Sequence, residues 1–172
     1  MILGDRNRFA IEFQVDPDPC GISIYGQCCF WAGGEKLGNY DLITRLGDVF
    51  FQMHSIVKDC GKRKSNWVDL DVKEVFLKLD TILYSTPYGG EVYDDIFPAA
   101  YNVRINTESF DGLTIFLLDC DILTSRLIYS KDDGLTVKEV RLVPGEFDSV
   151  IKRFYIELDK LYEEAEKSME AM

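Results

Sequence analysis

The chain has 172 residues, 47% of them hydrophobic and 28% charged, which suits one folded domain with a sizeable core and is too apolar for a disordered chain. Thirty acidic against nineteen basic residues leave a net charge of −11, which repels polyanions and argues against direct binding to nucleic acid or an anionic membrane. No apolar run approaches the roughly 18 residues of a membrane span, and no apolar signal-peptide core follows the first residues, so a cytoplasmic protein is expected.

The opening reads as a meander of strands. Phe9, Ile11, Phe13 and Val15 alternate with Ala10, Glu12 and Gln14, the period of a half-buried strand, and Pro17 and Pro19 end it. A second strand is expected from Ile22 to Trp31, with Gly26 as a bulge. Gly33-Gly34 suits a primed hairpin turn because both residues accept positive φ, and Lys36 to Tyr40 would form a short return strand. Two helices follow. Leu42, Leu46, Val49, Phe50, Met53, Ile56 and Val57 recur at three- and four-residue spacing, and Cys60-Gly61-Lys62-Arg63-Lys64 ends that run in a glycine and a basic, solvated loop. Asp71 and Glu74 resemble a capping box ahead of the stripe Val72, Val75, Phe76, Leu79, Ile82 and Leu83. Thr86-Pro87-Tyr88-Gly89-Gly90 breaks the pattern, and a surface loop continues to Pro98.

Further strands are expected at Tyr101 to Asn106, Leu113 to Leu118, Ile122 to Tyr129 and Leu135 to Val143, with turns at Asp111-Gly112, Asp119-Cys120-Asp121 and Asp132-Asp133-Gly134. Pro144-Gly145-Glu146 opens a last helix whose apolar face runs from Phe147 to Ala165. Its polar tail, 163–172, is expected to fray. The fold class is therefore α+β, a single domain over 1–172. An antiparallel sheet of about six to seven strands carries two central helices and a C-terminal helix, in the order β-β-β-α-α-β-β-β-β-α.

Catalytic chemistry has little to work with. The sole imidazole, His54, sits within the first predicted helix, and no nucleophile elbow, Walker loop or dinucleotide fingerprint occurs. Five cysteines without a Cys-x-x-Cys pair suit reduced, buried thiols better than disulfides or zinc. Neither a metal nor a cofactor is expected. The close carboxylate pairs Asp16/Asp18, Asp94/Asp95, Asp119/Asp121 and Asp132/Asp133 all fall at predicted turns, where aspartate binds local backbone donors. They could instead form an acidic face for a protein partner or, less simply, an acidic catalytic pair. Tyr88, Tyr93 and Phe97 stand beside Asp94 and Asp95, the composition of a recognition surface for a basic partner. Candidate partner-binding residues are accordingly Tyr88, Tyr93, Asp94, Asp95, Phe97, Asp119, Asp121, Asp132 and Asp133.

Several motifs resemble the immunity protein 42 family, which protects bacteria that carry polymorphic toxins. They are Ile2-x-Gly4-Asp5-x-x-Arg8-Phe9-Ala10-Ile11-Glu12; Tyr25-Gly26-x-x-Cys29-Phe30-Trp31-x-Gly33-Gly34-x-x-Leu37-Gly38-x-Tyr40-Asp41-Leu42; and Leu142-x-x-Gly145-Glu146-Phe147-Asp148. The resemblance spans most of the chain, with nothing to quote between Lys58 and Ala100, and its residues are turn glycines and strand aromatics rather than a working site. It implies a non-enzymatic antidote that binds one cognate toxin domain, often a nuclease. An acidic inhibitor of a basic nuclease agrees with the charge, since complementary fields speed encounter. The alternative is a cytosolic adaptor or regulatory domain that binds some other protein through the same surface. Oligomeric state stays open, because edge strands permit but do not require pairing.

Overall fold

The computed structural model describes residues 1–17, 23–85 and 98–170. Its elements alternate as the patterning requires of an α+β chain, but the strands divide between two antiparallel sheets, of five and three strands, rather than forming one. Contacts gather into two compact units. The first contains Met1–Lys58, Ile105–Asp111 and Gly145–Met172, and the second Asp59–Arg104 and Gly112–Pro144.

In the first unit, β1 (Ile2–Gly4), β2 (Phe9–Val15), β3 (Tyr25–Ala32) and β4 (Glu35–Leu37) pair in order, and β5 (Thr44–Arg45) pairs with the start of β3. The β2–β3 register runs unbroken from Phe9 opposite Ala32 to Val15 opposite Gly26, so the bulge expected at Gly26 is absent. Glycine stands there for space. A Cβ would lie 2.2 Å from the Gln14 carbonyl oxygen and 2.9 Å from Leu46. Gly33 and Gly34, at φ 58° and 83°, make the primed turn between β3 and β4.

Helix α1 (Leu46–Lys58) begins four residues later than the leucine spacing suggested, because Thr44 and Arg45 are held in the sheet opposite Gly26 and Tyr25. Leu42 and Ile43 are thereby left exposed. The last helix, α4 (Glu146–Glu170), takes in most of the polar tail. One sheet face buries Phe9, Ile11, Phe13 and Phe30 beneath Phe147 and Phe154 of α4, with Phe9 and Phe147 ring centroids 4.5 Å apart and Phe13 and Phe154 4.9 Å apart. Phe50 of α1 stacks on Tyr155 of α4 at 4.7 Å and 13°. A short 3-10 turn (Glu108–Phe110) joins this core by inserting Phe110 against Phe30.

The second unit holds α2 (Val72–Asp80), α3 (Pro98–Tyr101) and the meander β6 (Thr114–Asp119), β7 (Ser125–Ser130) and β8 (Val137–Leu142). Asp71 caps α2 as its position predicted, accepting from the Lys73 and Glu74 amides, while Glu74 turns to Lys78 instead of closing the box. Val75, Phe76 and Leu79 pack on Tyr101, Phe116, Leu118 and Ile128. The strand expected at Tyr101 to Asn106 is replaced by α3 and a single bridge, Asn102 opposite Phe116. Pro98 and two alanines favour a helix start there. Val103 and Ile105 are nonetheless both buried, which explains the alternation.

The largest departure concerns charge. Arg63, in the loop expected to be solvated, is fully buried and donates from Nε to the Ala100 carbonyl at 2.8 Å. Arg126, at 1% exposure, forks onto both carboxylate oxygens of Glu139 at 3.0 and 2.8 Å and donates through Nη1 to the Trp67 and Leu70 carbonyls. A single guanidinium therefore ties β7 to β8 and to the segment ahead of α2. Removing it takes the donor from two part-buried carbonyls and leaves Glu139 only its exposed partner Arg141, so Arg126→Ala is expected to cost about 3 kcal/mol, as for one partner lost from a buried pair. Urea denaturation checks this, with Arg126→Met, which refills the volume, closer to wild type.

Candidate functional site

Of the residues predicted to meet a partner, Tyr88, Tyr93, Asp94, Asp95 and Phe97 lie outside the described residues. The remaining four all build hairpin turns of the second unit. At the β6–β7 turn, Asp121 accepts from the Leu123 and Thr124 amides, both at 2.7 Å, and Asp119 accepts from the Ser125 hydroxyl at 2.7 Å. At the β7–β8 turn, Asp132 accepts from the Ser130 hydroxyl and the Thr136 amide, both at 2.8 Å. Asp133 adopts positive φ, 52°, which aspartate tolerates better than most side chains. Both described pairs thus do what short acidic side chains do at turns.

These two turns cap opposite ends of β7, whose six residues set them about 17 Å apart along the strand. They form two separate acidic points and not one patch. Asp121 and Asp133 are exposed, Asp119 and Asp132 half-buried. The tip beside Asp121 is apolar: Ile122 and Leu123, expected to start a strand, stand 91% and 75% exposed instead.

A second candidate lies wholly within the first unit, and the residue patterns did not single it out. The residues between β5 and the second turn of α1 face the segment 106–108 across an open groove of about 580 Å³. Its walls are Ile43, Arg45, Asp48 and Phe51 on one side, and Asn106, Thr107 and Glu108 on the other. Gln52 stitches the two walls, donating to the Asn106 carbonyl at 3.2 Å and accepting from its amide at 2.5 Å. Thr44 donates to the Ser109 hydroxyl beneath. Phe51 and Ile43 project from the rim, 76% and 62% exposed. The signal was present in Phe50-Phe51: adjacent helical positions diverge by about 100°, so a stripe that buries one must expose the other.

Other groups are spent on structure. Burial pushes the thiols of Cys28 and Cys29 up to about 12, so both are held as neutral thiols. His54, on the exposed face of α1, lies 3.3 Å from the Tyr155 hydroxyl. Among the described residues, no three His, Cys, Asp or Glu side chains gather as metal ligands, and no helix is long and apolar enough to cross a membrane. What the described surface offers is binding chemistry: an open groove, apolar tips and scattered carboxylates.

The profile of the family described as immunity protein 42 matches residues 1–157. A crystal structure of CdiI from Burkholderia dolosa AUO158 superposes with a TM-score of 0.74 at 21% identity, covering 91% of this chain and 99% of that one. That likeness shows a shared fold. No curated protein sequence matches the chain.

Hydrogen bonds from the Thr136 amide, chiefly, and from Ser130 hold Asp132 below the ordinary 3.8 of an aspartate. A folded-state value below the unfolded one means that the bonds support the turn fully above about pH 4, and that the support fades as acid titrates the folded carboxylate. Protection of the Thr136 amide, its exchange rate relative to an unstructured amide at the same pH, should therefore fall at the acid end in wild type. In Asp132→Ala that protection should be low at every pH.

Proposed function

The chain belongs to the immunity protein 42 family, and from that premise we propose that it neutralises a nuclease toxin by presenting carboxylates to the toxin's basic, phosphate-binding surface. Immunity proteins inhibit a cognate toxin protein by binding it and are not enzymes. A nuclease has to be cationic where it holds the phosphodiester backbone. A body of charge −11 competes for that surface and is steered to it, while a few desolvated contacts set how long it stays. The net charge is the observation that carries this reading. The CdiI fold of its structural neighbour supports placing it in a contact-dependent inhibition system, in which a cell needs the antidote in its cytoplasm against toxin delivered by its siblings.

The acidic residues proposed to meet the toxin are Asp94 and Asp95, with their neighbours Tyr88, Tyr93 and Phe97, and the turn aspartates Asp119, Asp121, Asp132 and Asp133. The exposed pair member at each turn is the better placed. Asp133 accepts no side-chain bond among those described, and Asp121, although it caps its turn, stands beside the bare Ile122 and Leu123.

Co-expression with a candidate toxin domain found beside its gene tests the reading. Cells should survive only when this protein is made, and toxin binding should weaken at least tenfold between 50 and 200 mM salt, roughly the loss expected when several charge pairs are screened. Asp94→Lys with Asp95→Lys should abolish protection. If protection persists in both that variant and Asp121→Lys with Asp133→Lys, the acidic surface is not the contact.

A further inference from the structure

We propose that the groove between α1 and residues 106–108 receives an arginine- or lysine-bearing loop of the toxin, with Phe51 as its aromatic anchor and Asp48 and Glu108 as its counter-charges. The inference rests on the toxin-binding reading above and adds a site that the acidic turns do not include. Three independent features meet there. The first is shape: an open trough of about 580 Å³ admits a few side chains of an incoming loop, and the two hydrogen bonds from Gln52 fix its width before any partner arrives. Such preorganisation lowers the ordering cost of association.

The second feature is unspent charge. Five basic side chains elsewhere on the described surface are spent in ion pairs: Lys62 with Asp59, Lys78 with Glu74, Lys160 with Glu157, Arg6 with Glu12 and Arg8 with Glu146, all within 3.0 Å. Among the described residues, the side chains of Arg45, Asp48 and Glu108 make no ion pair or hydrogen bond, although they line one groove. Two carboxylates against one guanidinium leave the trough net negative, which complements a cationic side chain. Arg45 can meanwhile take backbone carbonyls of the same loop.

The third feature is the ring. Phe51 is 76% exposed in a helix whose other aromatic, Phe50, stacks on Tyr155. An exposed ring beside carboxylates is a receptor for a guanidinium or ammonium, whose head meets the acids while its stem and charge lie over the aromatic face. Buried aromatic anchors of this kind dominate interface energies. Ile43 extends the apolar floor by a second residue.

The probe is the toxin domain that the co-expression test identifies, catalytically inactivated and titrated into the full chain by calorimetry, with thermal unfolding confirming that each variant folds. Phe51→Ala is expected to weaken binding at least tenfold, Ile43→Ala about fivefold, and Asp48→Asn with Glu108→Gln about tenfold with a shallower salt dependence. Reversing the matching basic residue of the toxin loop to glutamate should be rescued by Glu108→Lys. Wild-type binding that all three groove variants retain within twofold overturns the groove and leaves the acidic-turn reading standing. A wild-type protein that neither binds nor protects ends both. Should light scattering show wild type as a dimer and Phe51→Ala as a monomer, the groove holds a second copy of this chain, and the toxin-loop assignment is wrong.

Discussion

Insertion of Phe110 against Phe30, ring centroids 4.9 Å apart, is the contact on which the first unit's groove depends. Residues 105–111 reach this unit from a stretch of sequence flanked on both sides by the second. Nothing local would hold so short a piece. A fully buried phenyl ring contributes on the order of 2–3 kcal/mol of hydrophobic stabilisation. The Asn39 amide donating to the Ser109 carbonyl and the Thr44–Ser109 hydroxyl pair then set its register. With Phe110 seated, Asn106, Thr107 and Glu108 become a wall facing α1, and Gln52 can satisfy both backbone groups of Asn106. The groove is a by-product of a core contact.

The distribution of charge divides the molecule by task. Its two deeply buried guanidiniums, Arg63 and Arg126, serve backbone carbonyls and one carboxylate in the second unit. Arginine suits this because its fixed fork of donors satisfies several acceptors at once and cannot shed its charge. The excess acid stays outside, where water solvates it and where it can act on a partner's field. Much of it also has a local duty, as the capping bonds of Asp71, Asp121 and Asp132 demonstrate. An acidic surface of this sort needs no selection for each carboxylate separately, because turn-building and electrostatic steering tolerate the same residue.

Legibility followed locality. The β2 alternation, the Gly33-Gly34 turn, the Asp71 cap and the glycine before α4 were plain in the residue order, since each depends on neighbours a few positions away. The start of α1 and the strand at Tyr101 to Asn106 misled for the opposite reason. Pairing of β5 with β3 overrode a good leucine spacing, and packing of Val103 and Ile105 imitated a strand without its ladder. The candidate site was half visible. Aspartate pairs stand out in a string of letters, whereas the groove joins positions 43–52 to 106–108 and has no motif.

Composition and periodicity by themselves determined an acidic α+β chain with antiparallel strands and no evident catalytic set. The motifs of its opening and its final helix pointed to the immunity proteins, because turn glycines and strand aromatics answer to short-range sterics. Only the tertiary structure decided that the strands form two sheets, that Arg63 is core rather than loop, and that the two turn-aspartate pairs lie at opposite ends of β7. Those outcomes depend on which distant segments bury one another. That choice follows from the apolar area and hydrogen bonds of the whole chain, which no local window of sequence contains.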